Sequence, residues 1–261
     1  MRPNKAFRPA WLQLLTVKLA GFGLNVSGIA PGEDFDEYLP GCRSVVVFAS
    51  GGTLLWDCFV KDIRANPQHL TAYQHPFDEF VRRQLRQADP SPCVDRRWVR
   101  CAAEPEEFID FRALAFAAGL GWKSLQGMLI HPRYGLWIGL RAALLTTQKI
   151  SVEGPVVGES PCLPCAKPCI AACPGGAIDR NGWNVSNCAE FHQLSELCHG
   201  RCSSRLSCPQ GEQFRHTSLQ HHYHNARQSG RAQLAKELGI IDKVKGLDPP
   251  WSAWQKVNED S

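Results

Sequence analysis

The sequence predicts an α+β protein in two parts, with a mixed domain over residues 1–150, a small cysteine-rich domain over 151–212 and a helical tail over 213–261. Three observations carry that expectation. The 261 residues are 44% hydrophobic and 21% charged, enough to bury one large core or two small ones and too apolar for a disordered chain. A short β-branched run lies among stretches of helical periodicity in the first part. Eight of the 12 cysteines fall between Cys162 and Cys208.

The stretch 11–24 is apolar but is interrupted by Lys18 and has no small-residue cleavage site, so it is not read as a signal peptide. No apolar run reaches the 18 or so residues of a membrane span. The expectation is a soluble, unprocessed, cytoplasmic protein with no membrane partner. Ser44-Val-Val-Val-Phe-Ala-Ser50 is short, β-branched and closed by Gly51-Gly52, the pattern of a buried strand. Apolar positions then recur at helical spacing over 54–63. A second amphipathic stretch, 76–87, sets Phe77, Phe80, Val81 and Leu85 on one face, with Arg82, Arg83 and Arg86 on a solvated one.

A third helix is expected over 106–120, apolar at Phe108, Phe111, Leu114, Ala115 and Ala118 and capped by Gly119 or Gly121. Extended segments 128–132 and 136–145 would complete a sheet. After Thr146-Thr147-Gln148 the composition shifts to Gly, Pro and Ser through 153–161, which reads as a linker. Beyond Gly211, His216, His221, His222 and His224 lie in a polar stretch without the H-E-x-x-H arrangement and read as a solvated helix. A second helical stretch and a Pro249-Pro250-Trp251 tail follow. There is no internal repeat of 20–50 residues.

A net charge of +4 is too mild to argue nucleic-acid binding by itself, because phosphate neutralisation needs a concentrated basic face. Cysteine usage is more informative. A disulfide framework suits short secreted chains that cannot build a core, and this chain is neither. The sequons at Asn25 and Asn184 then carry no meaning. Cys42, Cys58, Cys93 and Cys101 are scattered. The clustered eight point to a metal or cluster site.

The central pattern is Cys162-Leu-Pro-Cys165-Ala-Lys-Pro-Cys169-Ile-Ala-Ala-Cys173-Pro174. It is close to the ferredoxin run C-x2-C-x2-C-x3-C-P, with one extra residue between the second and third cysteines. Three thiolates on a tight loop wrap an iron cube, while the cysteine before proline serves another cube in two-cluster proteins. Cys188, Cys198, Cys202 and Cys208-Pro209 supply a second set. Two 4Fe-4S clusters are expected, one on Cys162, Cys165, Cys169 and Cys208, the other on Cys173, Cys188, Cys198 and Cys202. Zinc, or a single cluster, is the alternative, although four-thiolate zinc sites usually draw two pairs from separate loops.

Two further stretches carry a resemblance. Arg112-Ala-Leu-Ala-Phe-Ala-Ala-Gly-Leu-Gly-Trp122 and Leu129-Ile-His-Pro-Arg-Tyr-Gly-Leu-Trp137, followed by the cysteine pairs, resemble epoxyqueuosine reductase, an iron–sulfur, cobalamin-dependent enzyme that itself resembles reductive dehalogenases. The block 130–141 is similar to the cobalamin-processing protein MMACHC, of the CblC type. The resemblance implies a nitroreductase-like α+β fold over 1–150 that holds a corrinoid, followed by a ferredoxin-like 4Fe-4S domain. It implies flat apolar surface from Tyr134 and Trp137, polar contacts from His131 and Arg133, and an anionic partner for Arg141.

Departures accompany it. Where epoxyqueuosine reductases carry an Asp-x-x-Pro-type motif, this chain has Glu104-Pro-Glu106, and the 50 residues after Gly211 are too few for that family's C-terminal helical repeats. The CblC type lacks the cysteine region.

The expected function is redox: an external donor supplies two 4Fe-4S clusters, which pass electrons singly to a corrinoid or small-molecule substrate. An epoxyqueuosine reductase-like enzyme acting on tRNA is the first alternative. A ferredoxin-like electron carrier or structural metal protein without a corrinoid is the second. If the chain is an enzyme it is an oxidoreductase, and no catalytic residue is assigned.

Overall fold

A computed structural model describes residues 8–89, 94–101, 109–152, 154–198, 200–244 and 247. Its centre is a four-stranded antiparallel sheet of β1 (Val26–Pro31), β2 (Ser44–Gly51), β3 (Arg96–Arg100) and β6 (Ile138–Thr146), in the order β1-β2-β6-β3. Strand β2 is buried at every position. Its side chains alternate between two cores: Val46 and Phe48 enter one, Val45, Val47 and Ala49 the other. Cover on both faces is why this strand reads as an unbroken apolar run.

The edge strands carry weaker signals. β3 is Arg-Arg-Trp-Val-Arg, charged as an exposed edge tends to be. β1 contains Gly28, where a Cβ would collide with the Ala118 carbonyl and Leu120.

The first core lies under α1 (Ala10–Gly21), α2 (Leu54–Ala65), the short α3 (His69–Ala72) and α4 (Pro76–Ala88). Helix α1 buries Leu12, Leu15 and Leu19, three- and four-residue steps that make one apolar stripe. The expected helices over 54–63 and 76–87 are present as α2 and α4, the latter opened by a proline whose missing N–H costs nothing in the first turn. Arg82 and Arg83 are not simply solvated: Arg82 pairs with Glu79, and Arg83 forks onto Asp62 of α2 at 3.0 and 2.6 Å.

The second core is covered by α5 (Phe111–Ala117). The Asp110 carboxylate accepts from the amides of Arg112 and Ala113 and so caps the helix, which Gly119 ends at φ +70°. The expected start near 106, with Phe108 and Glu104-Pro-Glu106, lies outside the described residues, as do Cys93 and the Pro249-Pro250-Trp251 tail.

The expectation for 128–132 needs correction. β5 (Leu129–Ile130) pairs only with β4 (Trp122–Lys123), forming a separate hairpin. Gly121 permits that approach, since a Cβ there would meet the Ile130 carbonyl.

After residue 152 come α6 (Pro168–Ala171), the hairpin β7 (Ile178–Asp179) and β8 (Gly182–Trp183), α7 (Val185–Leu194) and α8 (Ser203–Leu206). Then α9 (Ser218–Asn225) and α10 (Arg227–Glu237) return to the first core, to which Tyr223, Leu234, Ala235, Ile240 and Val244 contribute. The histidine stretch is therefore not a solvated helix. His221 is 2% exposed, and ring nitrogens of His216 and His224 are shut from solvent. Among the described residues no helix is long and apolar enough to cross a membrane.

Candidate functional site

The cysteines gather in two groups. Cys162, Cys165, Cys169 and Cys208 line one pocket together with Ile130, Leu136 and Pro209. Burial raises the Cys208 thiol above its ordinary value, and the like charges of Cys162, Cys169 and Cys165 raise it further. In the other group burial raises Cys198, reinforced by Cys202, Cys173 and Cys188. Cys202 is raised by burial and responds to Cys188 and Cys173 in turn. Cys208 thus lies within electrostatic reach of Cys162, Cys165 and Cys169, and Cys198 within reach of Cys173, Cys188 and Cys202.

Local folding explains the crossing. Helix α6 carries Cys169 and delivers Cys173 just beyond its end, while α8 begins after Cys202 and delivers Cys208. The two short helices are fastened by the Ser204 hydroxyl, which donates to the Cys169 carbonyl at 2.9 Å, and by Gln126, whose amide donates to the Ser204 carbonyl at 3.1 Å. Cys208 is thereby brought to the first group, and Cys173 is left for the second.

Lys167 adopts a left-handed φ of +58°, aiming its backbone N–H at the Cys165 sulfur at 3.3 Å. Among the described residues no three His, Cys, Asp or Glu side chains converge tightly enough for a single metal ion. A tetrahedral zinc needs thiolates about 2.3 Å from one centre. A cube needs them on four different irons, hence further apart, and an all-thiolate donor set suits such irons.

The block 129–137 forms the seam beneath the first quartet. Gly135 and Gly211 meet back to back: a Cβ on the first would strike the Gln210 carbonyl, and on the second the Tyr134 carbonyl. Arg205 of α8 donates to the Leu136 carbonyl at 2.6 Å. Ile130, Leu136 and Cys208 form a small apolar cluster against Trp122 and Cys162.

Of the five residues expected to contact a corrinoid, His131, Arg133 and Tyr134 pack together, the His131 and Tyr134 rings 5.2 Å apart and Arg133 over Tyr134, while Trp137 and Arg141 have other neighbours. His131 turns Nδ1 inward to accept from the amides of Arg133 at 3.0 Å and Tyr134 at 3.2 Å, and burial lowers its pKa to about 4. Arg133 is exposed and lies over Tyr134 and Phe214. Tyr134 is buried against Phe214, and its hydroxyl accepts from the Asn25 amide at 3.3 Å. Trp137 is 0% exposed, with Arg205 over its ring and the edges of His216 and His221 beside it. Arg141 is the extra residue of a bulge in β6, since Phe48 pairs with Ala142 and Ala49 with Leu140. The bulge aims its guanidinium at the Ser50 hydroxyl, 3.2 Å away, and over the Phe77 ring.

Arg141 lines a cleft with Asp78, Val81, Arg100, Cys101 and Leu140, whereas His131, Arg133, Tyr134 and Trp137 line neither this cleft nor the cysteine pocket.

The residue that spacing and resemblance missed is Arg205. Its guanidinium lies near Cys202, and burial lowers its pKa to about 10, with Cys202 acting in the opposite direction. His221 likewise accepts from the Cys202 amide through Nε2 at 3.2 Å. The only trace of Arg205 in the sequence is its place between two cysteines.

Fold and site together define a class: an α+β domain built on an antiparallel sheet and joined to a cysteine-rich segment. No family model matches the chain. Among curated proteins it is similar to epoxyqueuosine reductase of Synechococcus sp. (strain RCC307), 37% identical over 126 residues, which are 47% of this chain and 36% of the relative. The enzyme of the same name from strain CC9605 is 33% identical over 108 residues, 41% of this chain and 27% of the relative. The match thus spans about a third of those relatives' length.

Among solved structures, epoxyqueuosine reductase from Bacillus subtilis has a TM-score of 0.53 at 17% identity, covering 79% of this chain and 66% of that one. The B12-trafficking protein CblC of C. elegans, a homologue of human MMACHC, has a TM-score of 0.57 at 12% identity, covering 91% and 97%. These two names match the resemblances read from the sequence, and at such identities the solved structures establish a shared fold.

Proposed function

We propose that the chain is an iron–sulfur oxidoreductase of the epoxyqueuosine reductase kind, acting on a modified nucleoside carried by tRNA. The observation that carries the redox part is the sorting of eight cysteines into two all-thiolate quartets. The substrate part rests on the curated relatives and on a structural neighbour solved with an epoxyqueuosine-modified tRNA stem loop, which shares the fold at a TM-score of 0.52.

In this reading Cys162, Cys165, Cys169 and Cys208 hold one 4Fe-4S cluster, and Cys173, Cys188, Cys198 and Cys202 the other. Such clusters, when bound, supply electrons one at a time. The protein's part is to hold the thiolates in place through α6 and α8, to exclude water from the first quartet with Ile130 and Leu136, and to set a buried cation, Arg205, beside the second. An external donor is required, and the cytoplasm is the compartment proposed.

A second reading is favoured by the coverage of CblC, which this fold spans almost whole. There the protein handles a corrinoid, and the cleft beside Arg141 is the place where one of the proposed contacts meets open space.

The test is anaerobic purification, iron and sulfide analysis and EPR, followed by titration with a tRNA stem loop at several salt concentrations and, separately, with hydroxocobalamin. About eight irons per chain, with salt-sensitive stem-loop binding, are expected. Zinc in place of iron overturns the redox reading. Iron with indifference to RNA but an altered cobalamin spectrum replaces the first reading by the second.

A further inference from the structure

The surroundings of Trp137 hold more buried nitrogen than the fold uses. The indole Nε1 of Trp137, Nε of Arg205, Nδ1 of His216 and Nε2 of His224 are all shut from solvent with no protein partner. They are neighbours: the Arg205 guanidinium lies 4.7 Å from the Trp137 ring, His216 stands 5.2 Å from that ring, and His224 is 6.0 Å from His216. Arg141 closes the group, since its guanidinium lies over Phe77, whose ring meets His224 edge-on at 5.0 Å. The two arginines also act on each other and on His216.

Native interiors leave few polar groups unsatisfied and seldom gather cations without a counter-charge. Here the described carboxylate acting on Arg141 is Asp78, which forms no ion pair with it, and the group acting on Arg205 with the opposite sign is Cys202, a member of the second quartet. A metal ion would suit the two imidazoles but is repelled by the two guanidinium groups. An anion suits all of them.

We propose that the space bounded by β6, α8 and α9 binds the terminal phosphate group of a small molecule, held by Arg141, Arg205, the indole N–H of Trp137 and the rings of His216 and His224. The donors approach from a strand, two helices and a loop, that is, from several directions. That arrangement matches a tetrahedral oxyanion better than a planar carboxylate, which prefers a single fork. Full burial of Trp137 excludes the backbone of a folded RNA, and Arg141 itself lines an open cleft beside Asp78 and Cys101. The site is independent of whether the chain acts on tRNA.

The test is calorimetric titration of the full-length protein, purified with whatever metal it carries, using inorganic phosphate and, in parallel, acetate. Saturable binding of one phosphate per chain is expected, with acetate at least tenfold weaker. Arg205→Gln should weaken phosphate tenfold or more. Trp137→Phe, which keeps the ring and removes only the N–H, should weaken it severalfold in a chain that still folds. No saturable heat, the result if water alone satisfies these groups, overturns the proposal. So does phosphate binding unchanged by Trp137→Phe, or acetate binding as tightly as phosphate.

Discussion

Gly135 and Gly211 are residues at which a single methyl group does damage, because each lacks room for a Cβ and each has positive φ, +55° and +72°. Gly135→Ala is expected to lower stability by about 2–4 kcal/mol through backbone strain and collision. Since this contact pins the loop that carries Cys208, the variant should also hold less iron. Urea unfolding and iron analysis check both parts; an unchanged midpoint with full iron would show that the seam is not rigid. The block 129–137 was legible as a feature through its resemblance to known families. Its role was not, since no spacing in one chain reveals that Gly135 faces Gly211, or that His131 spends its Nδ1 on its own turn. Arg205 was invisible for a similar reason: the cation owes its position to the packing of α8, not to a motif.

At the scale of elements, the α6–α8 pair decides which cysteine serves which quartet. Ser204→Ala removes a buried hydroxyl that bonds to the Cys169 carbonyl and should cost about 1–2 kcal/mol. Cys188→Ala should abolish one cluster and leave the other, giving about half the iron by analysis; total loss of iron would mean that the quartets assemble only together. Helices α2 and α4 were readable because burial on a defined face imposes a period, and β2 because burial on both faces makes an unbroken apolar run. The edge strands β1 and β3 were not, because an edge is charged, short or glycine-bearing by necessity. The segment 128–132 shows the converse error, where strand-like composition serves a two-residue hairpin outside the central sheet.

For the whole molecule, acid should be the sensitive direction. Burial first, and then neighbouring positive charge, lower His216 to about 2 and His224 to about 3 from an ordinary 6.5. Both rings are neutral when folded and take up a proton when unfolded below that ordinary value. Their contribution to stability is therefore intact above pH 6.5 and is lost as pH falls towards the folded values, by about 1.4 kcal/mol per unit for each ring. Chemical denaturation at pH 7, 6 and 5 checks this, and His224→Phe should flatten the profile. A slope unaltered by that substitution would place the proton uptake elsewhere.

The return of α9 and α10 to the first core has a further consequence. The cysteine region is not a pendant at the end of the chain but a loop of about seventy residues held at both ends by one folded body, so its conformational freedom is bounded even without ligands. Losing iron to oxygen would then release a tethered loop, with its eight thiols still confined near one another. On the iron–sulfur reading, repair would be a local event, in which returning iron and sulfide meet a chain that kept its framework.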